Sequence, residues 1–224
     1  MSSNDSPLVA RRGFLTRLSA SAAGLTLYAG ARPRLQPSLV PLALAEEDPD
    51  AWIDRLRGTD RLLFHAHQRL MPAIGAARGI LLNGREAYNV PEADNAIAIA
   101  THGPAIGGLF RDEIWERFAL GEVYKIADGK TGTPAVRNPF LAPQDGAPSD
   151  ATVPALMERG VLFIVCNVAV SNLSRRVAGD ATADADAIHH VLLAGLVPGA
   201  IVVPNIHIAM SHAQKKGVSY IFVD

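Results

Sequence analysis

Apolar residues recur along the chain in short continuous runs separated by longer segments with helical spacing. Five of these runs predict β-strands, because each is short and mostly apolar and is flanked by polar or turn-forming residues. They cover residues 61–67, 96–101, 161–166, 200–203 and 218–223. The pattern therefore predicts strands spread over most of the chain after residue 60.

Between these runs, apolar residues three or four positions apart predict amphipathic helices. The helical segments cover residues 70–84, 109–121, 152–159, 169–177, 184–196 and 206–216. Strands that are apolar on both faces and alternate with helices are typical of a parallel sheet covered on both sides. We predict a three-layer α/β fold with a mainly parallel sheet of about five strands.

Residues 121–150 interrupt this alternation, since glycine and proline are frequent there and no helical period is present. Residues 123–126 and 133–137 flank Asp128-Gly-Lys-Thr-Gly132 and predict a small hairpin, which Pro134 confines to an edge. We expect these residues to form an inserted surface arm that covers the functional site or joins subunits.

The first 45 residues differ in character from the rest. Arg11 and Arg12 precede Phe14-Leu15 and a weakly apolar stretch, and Ala43-Leu44-Ala45 has the small-x-small pattern of a cleavage site. This order resembles a twin-arginine export signal. A membrane anchor is the poorer interpretation, because the apolar stretch contains glycines and is shorter than the ~20 residues of a spanning helix.

The expected product is therefore a mature domain of residues 46–224 that is periplasmic or otherwise exported. After cleavage near Ala45 we expect no membrane span. The alternative is an amphipathic surface helix that carries two adjacent arginines by chance.

Charge and cysteine content narrow the possible partners. The 21 Lys and Arg residues are balanced by 22 Asp and Glu, and the basic residues are scattered, so nucleic acid is not an expected partner. The single cysteine, Cys166, cannot close an intramolecular disulfide or supply a multi-cysteine zinc site. We expect no cofactor and no metal.

Polar residues follow the predicted strands at their carboxyl ends, and in open parallel sheets the functional crevice lies there. We call this edge of the sheet the rim. His65, His67 and the candidate residues below all belong to it. The candidate catalytic residues are Cys166 and His102, and the candidate ligand-binding residues are Gly103, Asn167 and Asn205.

Cys166 ends a strand and directly precedes a helical segment, whose N-terminal N–H groups favour a thiolate. The alternative is that Cys166 is a small buried apolar residue. His102 opens a glycine-rich turn whose N–H groups are suited to an anion or a sulfur oxyacid. The alternative is that backbone groups satisfy His102 and that it has no role in a site.

Other familiar motifs are absent or incomplete. His65 and His67 would share a strand face and can chelate a metal, but no third ligand is fixed by spacing. Gly129-Lys130-Thr131 resembles the end of a phosphate-binding loop, yet Tyr124 stands where its first glycine belongs. Neither Gly-x-Ser-x-Gly nor His-Glu-x-x-His occurs, which leaves the usual hydrolase mechanisms without a nucleophile or a metal.

Residues 102–106, the strand 161–165 with Cys166-Asn167, and residues 214–221 together resemble the DsrE/DsrF-like family of sulfur-relay and sulfur-oxidation proteins. The similarity spans about residues 62–224. It implies a small parallel-sheet α/β fold, a homo-oligomer, and a strand-end cysteine that carries persulfide sulfur. By position that residue is Cys166, and His102 is its nearest functional counterpart. The export signal and the arm depart from the family pattern.

Two functions remain open at this stage. In the first, Cys166 accepts sulfane sulfur from a donor protein and passes it to an acceptor. In the second, the protein is a non-catalytic module of an exported assembly that binds a small ligand at the rim, with Cys166 merely packed. The reactivity of the thiol in the folded protein distinguishes the two.

Overall fold

The computed structural model describes residues 48–179 and 184–224. The predicted export signal and its cleavage site lie outside the described residues. The strands are β1 (Asp60–Ala66), β2 (Asn95–Thr101), β3 (Leu162–Cys166), β4 (Ile201–Val203) and β5 (Ser219–Phe222). The helices are α1 (Met71–Tyr88), α2 (Asp112–Phe118), α3 (Leu120–Tyr124), α4 (Val153–Glu158), α5 (Asn167–Ala178), α6 (Ala185–Ala194) and α7 (Ile206–Lys215).

All five strands are parallel and lie in the order β4-β3-β2-β1-β5. The prediction of an α/β fold with a parallel five-stranded sheet is therefore confirmed. The central strands are buried on both faces, as their continuous apolar sequences require, whereas every residue of the edge strand β5 is exposed. Large side chains such as Phe64, Ile99 and Phe163 are fully buried, and each stabilises the fold by about 1.5–3 kcal/mol.

The connections between strands place the helices in two layers. The chain moves in one direction across the sheet from β1 through β2 and β3 to β4, so right-handed crossovers put α1, α5 and α6 on the same face. It then returns from β4 to the opposite edge through α7, which therefore covers the other face. Consistent with this, α7 packs against β2, β3 and β5.

Two of the predicted helices differ from the observed ones. The first runs through Gly84 to Tyr88 rather than ending near Gly84, and it is followed by a turn in which Val90 N donates to Gly84 O. The second is divided, since a 3₁₀ helix (Gly103–Leu109) precedes α2, and Ala119 adopts a left-handed conformation between α2 and α3.

The arm is mostly exposed, but one buried residue fixes it to the domain. Asn138 is 3% exposed, and its Nδ2 donates to the carbonyl oxygens of Gly108 at 2.9 Å and Phe110 at 2.6 Å. Its Oδ1 accepts from Phe140 N at 2.9 Å. The arm is therefore anchored beside the 3₁₀ helix that follows β2.

The first residues of the predicted arm are helical, because they belong to α3. The predicted hairpin is reduced to a single antiparallel bridge between Ala127 and Pro134. None of the helices in the described part of the chain is long and apolar enough to span a membrane.

Candidate functional site

The carboxyl ends of β1, β2 and β3 bring three predicted site residues into one row. Ala66 pairs with Thr101, and Thr101 pairs with Val165. The residues that follow these positions are His67, His102 and Cys166. Adjacent strands lie about 4.8 Å apart, so His102 occupies the position between His67 and Cys166.

These side chains lie on the α7 side of the sheet. Leu62 and Phe64 of β1 line a groove together with residues of α1, and successive strand residues point to opposite faces. Leu63 and His65 therefore face α7, and the registered pairs place His102 and Cys166 on the same side. The expectation that His65 and His67 share a face agrees with this geometry.

Four histidines come together on this face, and we call His65, His67, His102 and His207 the histidine cluster. The rings of His67 and His102 are stacked with their centroids 4.6 Å apart, and the ring of His207 lies 4.8 Å from that of His102. The ring of His65 lies 6.0 Å from that of His102 and 6.1 Å from that of His207.

His207 is brought to the cluster by the start of α7. Asn205 caps this helix, and its Oδ1 accepts from His207 N at 2.9 Å. His207 was not predicted to belong to the site. The sequence feature that could have revealed this residue is its position in the first turn of a helix that begins directly after a strand. Side chains at such positions lie close to the rim.

Two ring nitrogens of the cluster are buried without a hydrogen-bond partner among the described residues. They are His65 Nε2 and His102 Nδ1. The other nitrogen of His65 lies 2.9 Å from Tyr220 Oη, and the whole residue is only 8% exposed. An unsatisfied buried polar group costs about 1–3 kcal/mol, and folded proteins contain few of them. Two such atoms in one cluster mark this rim as a candidate binding site.

Burial and mutual repulsion disfavour a positive charge on two rings of the cluster. The pKa of His65 is lowered to about 4, mainly by burial and also by His102, His207 and His67, while Asp224 opposes the shift. Burial also lowers the pKa of His102, and His67 and His207 add to the effect. Near neutral pH both rings are therefore neutral, and each offers one donor and one acceptor nitrogen.

Cys166 occupies the N-cap position of α5 and is 2% exposed. Its side chain makes no capping hydrogen bond. The thiol therefore combines a position beside His102, on the face of the histidine cluster, with almost complete burial.

The three predicted ligand-binding residues have different surroundings. Asn167 accepts a hydrogen bond on Oδ1 from His189 Nε2 at 2.8 Å and so joins α5 to α6. Asn205 caps α7. Gly103 has a φ of +56°, and a Cβ there would lie 2.5 Å from His67 Cδ2. Glycine at this position lets the turn pass directly against the His67 ring.

A small cavity of about 160 Å³ adjoins the cluster between the turn after β2 and helix α5. It is lined by His102, Gly103, Pro104, Tyr124, Ala169, Asn172, Leu173 and Arg176. Arg176 brings a positive charge to the wall, and it donates to Val123 O at 2.6 Å. Burial raises the pKa of Tyr124, so that its hydroxyl stays protonated.

Among the described residues, no group of three or more His, Cys, Asp or Glu side chains is arranged to hold a metal ion. The rim combines four imidazoles, a buried thiol and, in the adjoining cavity, one guanidinium. Such a site can donate and accept hydrogen bonds, and it can gain a positive charge if a ring is protonated.

The described residues thus form an α/β fold with a parallel five-stranded sheet and a cluster of four histidines at the carboxyl ends of its strands. No family model and no curated protein matches the chain. One solved structure to which it is similar is that of MTH1491, a protein of unknown function from Methanobacterium thermoautotrophicum. The two are 17% identical, the match covers 73% of this chain and 98% of that one, and the TM-score is 0.38.

Proposed function

We propose that the protein is a binding module that takes a small polar ligand at the histidine cluster. The observation that carries this proposal is the pair of buried ring nitrogens, His65 Nε2 and His102 Nδ1, that have no partner in the described structure. A ligand that bonds to both would remove a cost of about 1–3 kcal/mol for each atom. The cluster also lies at the carboxyl ends of the strands, where parallel sheets bind their ligands.

The dimensions of the adjoining cavity limit the ligand. Its volume of about 160 Å³ is below the about 300–1,000 Å³ of pockets for drug-sized ligands. We therefore expect a ligand smaller than a drug-sized compound.

Thermal unfolding in the presence of small polar compounds tests the binding. A ligand present at 100 times its Kd stabilises the folded state by about 2.7 kcal/mol, so a true ligand raises the Tm measurably. We expect His102→Gln to lose this rise and His190→Gln, at an exposed position on α6, to keep it. An equal increase in the Tm of the His102→Gln protein would show that the ligand does not bind at the histidine cluster.

The second candidate function is sulfur transfer through Cys166, in line with the resemblance to DsrE/DsrF-like proteins. It is supported by the position of the thiol beside His102 and at the N-terminus of α5. In this reaction the Cys166 thiolate attacks the outer sulfur of a donor persulfide. The donor S–S bond breaks, the donor leaves as a thiolate, and a new S–S bond forms on Cys166.

Because Cys166 is 2% exposed, such a reaction requires local opening of the rim. Intact-mass analysis after incubation with a low-molecular-weight persulfide tests it. We expect the folded protein to gain one sulfur atom that reductant removes, Cys166→Ser to gain none, and His102→Ala to gain it more slowly. A folded protein that gains no sulfur, yet is modified after unfolding, has a structural thiol.

We propose further that the protein is exported with residues 1–45 as a twin-arginine signal. The support comes from the order of Arg11-Arg12, Phe14-Leu15 and Ala43-Leu44-Ala45. Replacing Arg11 and Arg12 together by lysine should leave the precursor in the cytoplasm. Unchanged export of this variant would reject the twin-arginine assignment.

The expected homo-oligomer is also a proposal, and β5 is the surface that supports it. This edge strand contains no proline or charged residue, and Tyr220, Ile221 and Phe222 are 39%, 39% and 54% exposed. Unprotected apolar edges of this kind pair with other chains. We expect light scattering to show an oligomer that Ile221→Lys dissociates, and a monomeric wild-type protein would exclude it.

A further inference from the structure

We infer that the ligand of the histidine cluster is a small oxyanion, and that it is bound together with a proton taken up by the cluster. The inference rests on the ligand binding proposed above and specifies its chemistry. Its observations are the charge distribution around the rim and the environment of His65.

Two helices begin at the rim. The 12-residue α5 starts directly after Cys166, and the 10-residue α7 starts directly after Asn205. The N-terminus of a helix carries about half a positive charge, and neither helix has an acidic residue in its first turn. The first N–H groups of α5 also lack a side-chain cap. Arg176 adds a full positive charge in the adjoining cavity.

A buried and unpartnered side chain provides the second, independent observation. His65 is more than nine-tenths buried, and its Nε2 has no hydrogen-bond partner in the described structure. Tyr220 contacts the ring at Nδ1. The unpartnered Nε2 lies on the other side of the ring, away from Tyr220 and toward the cluster. Protonation at Nε2 would give the ring a charged donor for an oxyanion.

The groups around His65 explain why this proton needs the anion. His67 from the end of β1, His102 from the end of β2 and His207 from α7 all repel a positive charge on His65, and Tyr220 of β5 contacts its Nδ1 through a hydroxyl group. Asp224 alone favours the charge, but its Oδ1 already accepts from the backbone N–H groups of Gln68 and Arg69.

Without an anion, burial and these neighbours hold the pKa of His65 at about 4. A bound anion would offset both the repulsion and the desolvation, so it would raise this pKa toward its ordinary value. By linkage, the affinity for the anion then increases as the pH falls, because binding takes up a proton.

A metal cation does not fit the same surroundings. The helix N-termini disfavour it, and the described His, Cys, Asp and Glu side chains form no metal-holding group. A neutral ligand would satisfy the two nitrogens but would gain nothing from these positive charges. An oxyanion can bond to the nitrogens and is also attracted by the positive charges.

Isothermal titration calorimetry of the full mature chain tests the inference. Sulfate and thiosulfate are suitable probes, because neither binds a proton near neutral pH, so any proton uptake belongs to the protein. Titrations in two buffers with different ionisation enthalpies give the number of protons taken up. With a bound pKa near ~6.5, we expect proton uptake that grows toward one per anion as the pH falls and an affinity that increases about fourfold between pH 7.5 and 6.

Two variants and one control assign the proton. His65→Gln should bind the anion weakly and with little dependence on pH. If that variant does not fold, His207→Gln, at an exposed position of the cluster, should still weaken binding at every pH. His190→Gln should behave as the wild type.

Other binding results would separate the oxyanion proposal from the proposed ligand binding on which it rests. Binding of a neutral compound at the cluster without proton uptake would overturn the oxyanion and leave the proposed binding function standing. Binding of Zn²⁺ with release of protons would overturn it in favour of a metal. If neither anions, neutral compounds nor metals bind, the proposed function fails as well.

Discussion

His65 Nδ1 and Tyr220 Oη lie 2.9 Å apart, although 155 residues separate them in the sequence. The contact joins β1 to the edge strand β5, which lies beside β1 along its length. It also fixes the orientation of the His65 ring, so that Nε2 remains on the side of the histidine cluster. The edge strand therefore supports the candidate site as well as closing the sheet.

Removing this hydroxyl tests its contribution to the fold. Tyr220→Phe leaves His65 Nδ1 without its partner, so we expect the free energy of unfolding to fall by about 1–2 kcal/mol. Urea denaturation measures the change. Tyr88→Phe is the matched control, because Tyr88 is 81% exposed. Equal stability of the two variants would mean that the His65–Tyr220 contact does not stabilise the protein.

The lowered pKa of His65 predicts how stability depends on pH. The unfolded chain binds this proton below pH ~6.5, whereas the folded chain resists it down to about pH 4. The unfolded state therefore holds more protons between these values, and the free energy of unfolding falls as the pH is lowered through this window. Burial lowers the pKa of His102 and His189 as well, which adds to the loss.

We expect a loss on the order of 2 kcal/mol between pH 6.5 and 4.5, since one pKa unit corresponds to about 1.4 kcal/mol. Carboxylates with lowered pKa, such as Asp150 beside Arg78, lose their contribution mainly below this range. Denaturation curves across the window measure the slope, and His65→Gln should flatten it while His190→Gln should not. An unchanged slope in His65→Gln would assign the dependence to other groups.

The strands were predictable because a strand that is buried on both faces has a nearly continuous run of apolar residues. The apolar runs predicted from residues 96–101 and 161–166 differ from β2 and β3 by one residue at their starts. Helix ends were less accurate, because they depend on local contacts such as the left-handed Ala119 between α2 and α3. The strand order, with β5 beside β1, has no local signal and depends on where α7 crosses the sheet.

The site was predictable only in part, for a related reason. The rule that strand ends line the crevice led to His102 and Cys166, which the strand register places side by side. It also led to Asn167, whose Oδ1 lies 2.8 Å from His189 Nε2. His207 and Tyr220 reach the cluster from the helix and strand at the end of the chain. Sequence spacing contains no information on such long-range contacts, so neither residue was expected there.

The buried hydrogen bonds of Asn138 lead to a prediction about how the arm is held to the domain. Asn138→Ala removes two donors from the buried carbonyls of Gly108 and Phe110 and the acceptor for Phe140 N. Because unsatisfied buried groups are costly, we expect a loss of about 2–4 kcal/mol. Gln144→Ala is the control, since it removes side-chain hydrogen bonds from an exposed part of the same arm and should cost less than about 0.5 kcal/mol.

Urea denaturation of these two variants gives the difference, and limited proteolysis shows where it originates. Cleavage confined to the arm in Asn138→Ala would show that the arm detaches as a unit. If both variants lose the same small amount, Asn138 does not anchor the arm.

Substitution by alanine should change the stability in opposite directions at two glycines. A Cβ on Gly121 in α3 would overlap the backbone oxygen of Ala135 in the arm, whereas a Cβ on Gly75 in α1 meets nothing within 4 Å. Gly121→Ala must therefore push two backbone segments apart, at a cost of about 1–3 kcal/mol. Gly75→Ala instead reduces the freedom of the unfolded chain inside a helix and should stabilise the protein by about 0.5–1 kcal/mol. Thermal and urea denaturation should show the two shifts with opposite sign, and a neutral Gly121→Ala would mean that α3 and the arm are not in contact in solution.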